Sequence, residues 1–175
     1  MDPHLQQLQD EIHSITKGIS VEELNWHPAG KWCAAEILEH LYLTYTGTIK
    51  GLSRVLASDG ATKHPTLKQR VAALVVVDIG YFPNGIQSPA GARPRGVPSR
   101  QVLTEIVSKI AEMDAVLADC ASKFGAHAKV MDHPMMGPFS VAQWRKFHLR
   151  HAMHHLKQIR RLRSLSLRGL TSPQA

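Results

Sequence analysis

Apolar residues recur at helical spacing along most of the chain, and this periodicity restricts the available folds more than any other feature. The first such stretch places Leu5, Leu8, Ile12 and Ile15 on one face of a helix. A later stretch is expected to direct five residues inward: Val102, Ile106, Ile110, Met113 and Leu117. No stretch shows the alternation of polar and apolar residues that is typical of a half-buried strand. The sequence therefore predicts an all-α protein, a bundle of four principal helices. These helices are expected at 2–17, 33–56, 100–124 and 141–165, with a weaker helix at 66–78.

Serines suited to capping mark several helix starts. Ser20 is expected to cap one short turn, Ser99 to open the third long helix and Ser140 to cap the last one. Residues 80–99 contain four glycines and four prolines, which exclude a continuous helix or a central strand. This segment is predicted to be a long crossover loop, either a plain connection or a functional one.

The composition is that of a single folded domain. The chain has 175 residues, of which 43% are hydrophobic and 20% charged. We expect one helical domain over residues 1–165 and a C-terminal tail over 166–175. The longest apolar run is about half of what a bilayer span requires. The N-terminus lacks the pattern of a signal peptide, and two cysteines give no disulfide framework, so we expect a cytoplasmic protein without a membrane partner.

The formal net charge of +7 leaves nucleic acid, anionic membranes and acidic substrates open as partners. Much of this charge lies near the C-terminus, where a solvated helix end is the simpler interpretation. No segment resembles a recognition helix with base-reading side chains flanked by phosphate contacts, so no nucleic-acid partner is expected. The C-terminal cations in question are Arg160, Arg161, Arg163 and Arg168.

The stretch FHLRHAMHHLKQIRR, at 147–161, is rich in histidine. On a helix, His151 and His155 lie about 40 degrees apart, on the face that carries the large apolar residues. Two imidazoles one turn apart can direct nitrogens at one metal ion, although this spacing alone is a weak signal. His148 and His154 lie about 60 degrees to either side of His151, so we expect surface, interface or rim positions for them, with proton shuttling as a second interpretation.

A third nitrogen ligand could come from another helix. His40 lies on a mostly apolar stripe of the second long helix, where a satisfied core histidine is the alternative. Glu36 lies about one turn before it and could orient it by accepting a hydrogen bond. The remaining histidines lie in predicted loops or near the N-terminus without a matching partner, namely His4, His13, His27, His64, His127 and His133.

Two segments together resemble the DinB/YfiT-like superfamily, particularly its broad DinB-like subgroup. They are LNWHPAGKWCAAEILEHLYL, and much later GPFSVAQWRKFHLRHAMHHLKQIRRL. The resemblance implies a metal-binding four-helix bundle whose ligands are His40, His151 and His155. The HHLKQI string resembles the family's HH-x-x-Q ending, which makes His155, and not His154, the partner of His151. Three tryptophans fall where the family places core aromatic residues: Trp26, Trp32 and Trp144.

The resemblance also implies a function. Three protein nitrogens leave an open coordination position, as in catalytic metal sites, and imidazole ligands suit zinc, nickel, iron or copper. Some family members use low-molecular-weight thiols such as bacillithiol or mycothiol as S-transferases, and others resemble hydrolases or isomerases. We therefore expect an enzyme that depends on a divalent transition metal (zinc, nickel or iron), a hydrolase or thiol S-transferase with a small-molecule substrate. A metal-binding bundle without catalysis is the alternative.

Two further expectations concern surfaces of the protein. The basic segment from Arg93 to Arg95 could meet an anionic thiol or a substrate carboxylate at the mouth of the bundle, although a solvated linker is the simpler interpretation. The face of the second long helix opposite His40 bears Leu38, Leu41, Tyr42 and Tyr45. Since a helix that is apolar nearly all round is either central or shared with a partner, we expect a homodimer.

Overall fold

The structure is a computed structural model that describes residues 1–58, 64–82 and 87–170. The predicted all-α class is confirmed, because helices form most of the described chain and the one sheet has only two strands. The helices are α1 (Pro3–Thr16), α2 (Val21–Asn25), α3 (Ala34–Leu56), α4 (Leu67–Ala73), α5 (Ser99–Phe124) and α6 (Val141–Leu170).

The four long helices pack around one apolar core. Helix α3 lies against α5, helix α1 lies against α6, and the two pairs close on each other through contacts of α1 with α5 and of α3 with α6. The residues predicted to face inward on α1 and α5 are buried. The helical periodicity therefore identified the core faces of these two helices; the residues are Leu5, Leu8, Ile12, Ile15, Val102, Ile106, Ile110, Met113 and Leu117.

Local hydrogen bonds explain where the helices begin. Ser20 caps α2 in a capping box with Glu23, as the sequence predicts. Ser140 accepts a hydrogen bond from the Gln143 amide at 3.3 Å, and Gln143 Oε1 accepts one from the Ser140 amide at 3.1 Å. Ser99 is the first residue of α5, but no side chain caps that helix.

The helix predicted over 66–78 has two parts. Helix α4 ends at Ala73, and a π-helical segment, Leu74–Ile79, follows it directly. The wider π turn ends at Gly80, whose φ of 78° is a left-handed conformation that glycine adopts readily. Periodicity alone does not distinguish the two helix types over so few residues, which is why the sequence predicts one helix here.

A short antiparallel hairpin follows α5, although no stretch of the sequence shows the alternation that predicts a strand. Strand β1 (Lys129–His133) pairs with β2 (Gly137–Ser140), and the register is interrupted between Lys129 and Met131. Val130 and Phe139 are buried in the core, whereas the rest of β1 shows no regular alternation. This irregularity removed the period-two signal from which a strand is predicted.

The predicted crossover loop contains one 3₁₀ turn, Ala90–Ala92, which packs against α3; residues 83–86 lie outside the described part. At the other end of the chain, α6 continues to Leu170, beyond its predicted end at Leu165. Residues 171–175 of the predicted tail lie outside the described part, and the division of the chain at 165 stays a prediction.

The apolar face of α3 on which the homodimer prediction rests is covered within the chain. Leu38, Leu41 and Tyr45 are buried, and the Tyr42 hydroxyl donates a hydrogen bond to Glu105 of α5 at 2.6 Å. This face therefore supplies no argument for a partner, and the homodimer stays a prediction. Within the described residues, no helix combines the length and the hydrophobicity that crossing a membrane would require.

Candidate metal centre

Three histidines from two helices converge on one point. His40 comes from α3, and His151 and His155 come from successive turns of α6. His151 Nε2 lies 3.3 Å from His40 Nε2 and 3.1 Å from His155 Nε2. His40 and His155 are buried, while His151 keeps part of its surface exposed. The structure thus brings together the three residues that the sequence analysis singled out, as a group that could hold a metal ion.

Two of the three rings are held by hydrogen bonds on their outer nitrogens. His40 Nδ1 lies 2.7 Å from the Ala92 carbonyl oxygen, and His155 Nδ1 lies 2.9 Å from Gln158 Oε1. Because these oxygens only accept, each Nδ1 carries the proton, and a neutral ring then presents the bare lone pair of Nε2 to the centre. This arrangement, with an outer acceptor fixing the tautomer, is the one found for metal-ligating histidines.

The amide of Gln158 also reaches the neighbouring histidine. Its Nε2 donates to His154 Nε2 at 3.2 Å, while its Oε1 accepts from His155. Gln158 therefore joins the two adjacent imidazoles of the HH-x-x-Q string and orients one of the candidate ligands. His154 itself is partly exposed and remains outside the converging group.

Burial keeps the three imidazoles neutral. It lowers the pKa of His155 to about 4, with the neighbouring His40 as the second cause. Burial also lowers the pKa of His40, partly opposed by the hydrogen bond to Ala92. The pKa of His151 falls well below its usual value, through burial first and the two neighbouring imidazoles next. Metal binding requires neutral imidazole, so the rings are in the required form at pH 7.

Aromatic rings surround the converging histidines. Trp32 packs against His40 with ring centroids 5.4 Å apart, and Phe147 stacks on His151 at 5.4 Å with an interplanar angle of 8°. Phe82, from the segment after the π-helical turn, lies 5.7 Å from the His151 ring. Two of these rings, Trp32 and Phe82, are only partly buried. The group therefore lies at the edge of the core, between apolar walls that approach the surface.

The predicted role of Glu36 is wrong. Its side chain accepts a hydrogen bond from the Cys33 amide at 2.8 Å and completes a capping box at the start of α3. Capping the helix uses the carboxylate locally, because the first-turn amides have no partner within the helix. The acceptor for His40 is instead the backbone of Ala92 in the crossover loop, 52 residues away in sequence.

A second acidic residue holds that loop in place. Glu39 is buried, and its two carboxylate oxygens accept hydrogen bonds from the backbone amides of Arg95, at 2.8 Å, and Gly96, at 3.2 Å. The same loop supplies the Ala92 carbonyl to His40. The sequence analysis missed the role of Ala92, since a backbone carbonyl in a loop leaves no signal in the sequence. It also missed Glu39, because the loop amides that this side chain binds are 56 and 57 residues away along the chain.

His148 corrects another prediction. It was expected at the surface, an interface or the rim, but it is fully buried, with a pKa lowered to about 3 by burial and by the neighbouring His133. Neither of its ring nitrogens has a hydrogen-bond partner. His133, expected in a loop without a matching partner, lies on β1, where burial lowers its pKa to about 4. It packs against Phe139 and Phe147 and is not part of the converging group.

The predicted core tryptophans pack as expected. Trp144 is buried, and Trp26 and Trp32 are partly buried against the core. His4, His13, His27, His64 and His127 are exposed and take no part in the converging group.

The cations that suggested an anionic partner are engaged within the chain at several positions. Arg160 pairs with Glu11, and Arg163 pairs with Glu23 while donating to the Ile15 carbonyl. In the crossover loop, the Arg93 side chain donates to Ser88 and Gln87. These pairs tie α6 to α1 and α2 and stabilise the loop internally.

Comparison with protein families now identifies the class. The model of the DinB superfamily matches residues 4–159, and the chain belongs to this family. The match includes all three histidines of the centre. No curated protein and no solved structure matches the chain significantly.

Proposed function

We propose that the protein is a metal-dependent enzyme of DinB type, with His40, His151 and His155 as ligands of a divalent transition metal such as zinc, nickel or iron. The observation that carries the proposal is the convergence of three Nε2 atoms from α3 and α6. Outer acceptors at His40 and His155 support it, because they orient the lone pairs toward one point.

The donor set favours a catalytic role over a structural one. Structural zinc sites are closed by four protein ligands, whereas three ligands leave a position for a reacting molecule. The three imidazoles are neutral, so they would leave the charge of a divalent ion uncompensated and favour an anionic fourth ligand. A metal bound here would act as a Lewis acid that lowers the pKa of a bound water or thiol.

The surrounding residues would bind and shield the substrate. Trp32 and Phe82 flank the histidines and are partly exposed, so they offer apolar contact to a small molecule and reduce access of water. His154 lies 5.1 Å from the Phe82 ring and is partly exposed. Burial lowers its pKa, so the ring is neutral at pH 7, and its Nε2 could accept a proton at the edge of the site once the hydrogen bond from Gln158 is released.

The reaction is a hydrolysis or the transfer of a low-molecular-weight thiol to an electrophilic small molecule. Both use a nucleophile that the metal activates, which suits a site where the converging side chains are all imidazoles. A metal-binding bundle without catalysis is the second candidate.

The enzyme proposal also includes a cytoplasmic location, a homodimer and a single domain over residues 1–165.

The metal content of the tag-free protein tests the ligand assignment. We expect about one transition-metal ion per chain by plasma mass spectrometry, and loss of this ion in both His40→Ala and His151→Ala. His127→Ala is the matched control, because this histidine is exposed and outside the group. Circular dichroism should show retained helices in all three variants. No stoichiometric metal in the wild type, even after reconstitution with zinc, nickel or iron, would disprove the assignment.

Removal of the metal separates the two candidates. The apolar core extends along all four long helices, away from the histidines, so the metal-free protein should remain folded. A folded protein that loses thiol-transfer or esterase activity with a chelator and regains it with metal supports the enzyme. Unfolding on chelation would instead identify a structural ion.

A further inference from the structure

Four polar side-chain atoms in the described residues are buried and have no hydrogen-bond partner. They are the Tyr45 hydroxyl, both ring nitrogens of His148, and Nδ1 of His151. Buried polar groups are almost always hydrogen-bonded to protein or to internal water, because an unpartnered group loses its hydration without replacement. Such a cluster therefore calls for a physical explanation.

These atoms belong to one contacting pair of side chains, Tyr45 and His148, and to His151, which follows His148 along α6. Tyr45 is on α3, and its ring lies 5.5 Å from that of His148 on α6 in an edge-to-face arrangement. His148 precedes His151 by three residues, so the two occupy adjacent positions on one side of α6. The unpartnered atoms thus belong to α3 and α6, the two helices that supply the histidines of the candidate metal centre.

Aromatic rings enclose the cluster and offer it no acceptor. Trp144 stacks on His148 with centroids 5.6 Å apart, and Phe147 contacts both His148 and His151. The Trp144 indole nitrogen already donates to the Met131 carbonyl. No direct hydrogen bond joins the Tyr45 hydroxyl, the His148 ring nitrogens and His151 Nδ1 to one another or to any other described side chain or backbone group.

The three candidate ligands differ on this side. His40 and His155 each have an outer acceptor at Nδ1, at 2.7 and 2.9 Å, whereas His151 has none. For His151 Nε2 to face a metal with its lone pair, Nδ1 must carry the proton and should donate it. A partner at this nitrogen is therefore the missing part of the centre's outer shell.

We propose that Tyr45 and His148, bridged by internal water, form the hydrogen-bonded partner of His151 Nδ1, so that both act as positioning residues for the third ligand. A hydroxyl donates and accepts, a neutral imidazole carries one donor and one acceptor, and a buried water makes two to four hydrogen bonds. Together they can satisfy all four atoms. The inference rests on the proposed metal-binding function and assigns neither residue a contact with metal or substrate.

The dissociation constant for zinc tests this assignment, measured by competition with a chromophoric chelator. Tyr45→Phe removes only the hydroxyl, and we expect it to weaken zinc binding by about 10- to 100-fold, the usual effect of losing an outer-shell partner. Tyr42→Phe is the matched control on the same helix, because its hydroxyl bonds Glu105 away from the centre. Its zinc affinity should equal that of the wild type. Equal zinc affinities for Tyr45→Phe and Tyr42→Phe would overturn the proposal.

A second experiment does not depend on metal. In metal-free protein, Tyr45→Phe and His151→Phe are combined in a double-mutant cycle followed by thermal unfolding. We expect the shifts in the unfolding midpoint to be non-additive, because each variant removes one end of the same hydrogen-bonded unit. If the wild type binds no zinc, the proposed function fails and the positioning role fails with it, while this cycle still decides whether the hydrogen-bonded unit exists. Additive shifts would overturn the unit, and non-additive shifts would keep it.

Discussion

Replacing His148 by phenylalanine should make the protein less sensitive to acid. The imidazole is fully buried, and burial together with His133 lowers its pKa from 6.5 to about 3. Phenylalanine keeps a ring between Trp144 and Tyr45 but cannot take up a proton. The variant therefore isolates the cost of keeping this imidazole uncharged.

The sign and size follow from proton linkage. Because the pKa is lower in the folded state, the unfolded chain binds the proton first as the pH falls below 6.5. The stabilisation is complete above pH 6.5 and is lost as the pH falls toward 3. Each pH unit in this window costs about 1.4 kcal/mol, so His148 lowers the free energy of unfolding by about 2 kcal/mol at pH 5.

Guanidinium unfolding at pH 7.5 and 5.0, with a chelator present, measures this effect. The wild type should lose about 2 kcal/mol more free energy of unfolding between the two pH values than His148→Phe does. His127→Phe is the control, because His127 is exposed, and its loss should equal that of the wild type. An equal loss in His148→Phe and the wild type would refute the argument that burial keeps His148 neutral.

Four further changes test the helices, the hairpin and the crossover loop. Asp114→Ala removes the acceptor of the Arg145 guanidinium and of the backbone amide of Asp2, the N-cap residue of α1. It should lower the free energy of unfolding by about 3 kcal/mol in chemical denaturation. Gly137→Ala should destabilise by about 1–2 kcal/mol, since its φ is 71° and the new methyl group would lie 2.7 Å from Cδ of Gln69. Gly47→Ala, in open space on α3, should instead stabilise by about 0.5–1 kcal/mol. Glu39→Ala frees two loop amides, so limited trypsin digestion should cleave faster after Arg95, and an unchanged rate would contradict the role of this carboxylate.

Local periodicity determined what could be predicted about the helices. The spacing of apolar residues located the long helices and the inward faces of α1 and α5, because each helical position is set by its own neighbours in sequence. The same rule placed His151 and His155 on one face of α6. The family resemblance then added His40, for which position on the helix alone left a core histidine as an alternative.

The tertiary structure determined which helix faces contact each other, and therefore which side chains are buried and which groups they bond. The angular position of His148 on α6 suggested the rim, but Tyr45 of α3 and Trp144 cover it, so it is buried. Glu36 lies within reach of His40 in a helical count, yet it caps α3, and a loop carbonyl takes the role instead. The hairpin likewise depends on pairing with a partner strand rather than on its own alternation.

The sequence by itself thus determined the helical class, two core faces and the pair of histidines on α6. Only the tertiary structure determined which groups accept hydrogen bonds from the Nδ1 atoms of the candidate ligands. The acceptor for His40 is the Ala92 carbonyl, far along the chain, and the acceptor for His155 is the Gln158 side chain on the next turn of α6. Periodicity describes the direction in which a side chain leaves its helix. It carries no information about the group that meets the side chain there, and the chemistry of an imidazole is set by that group.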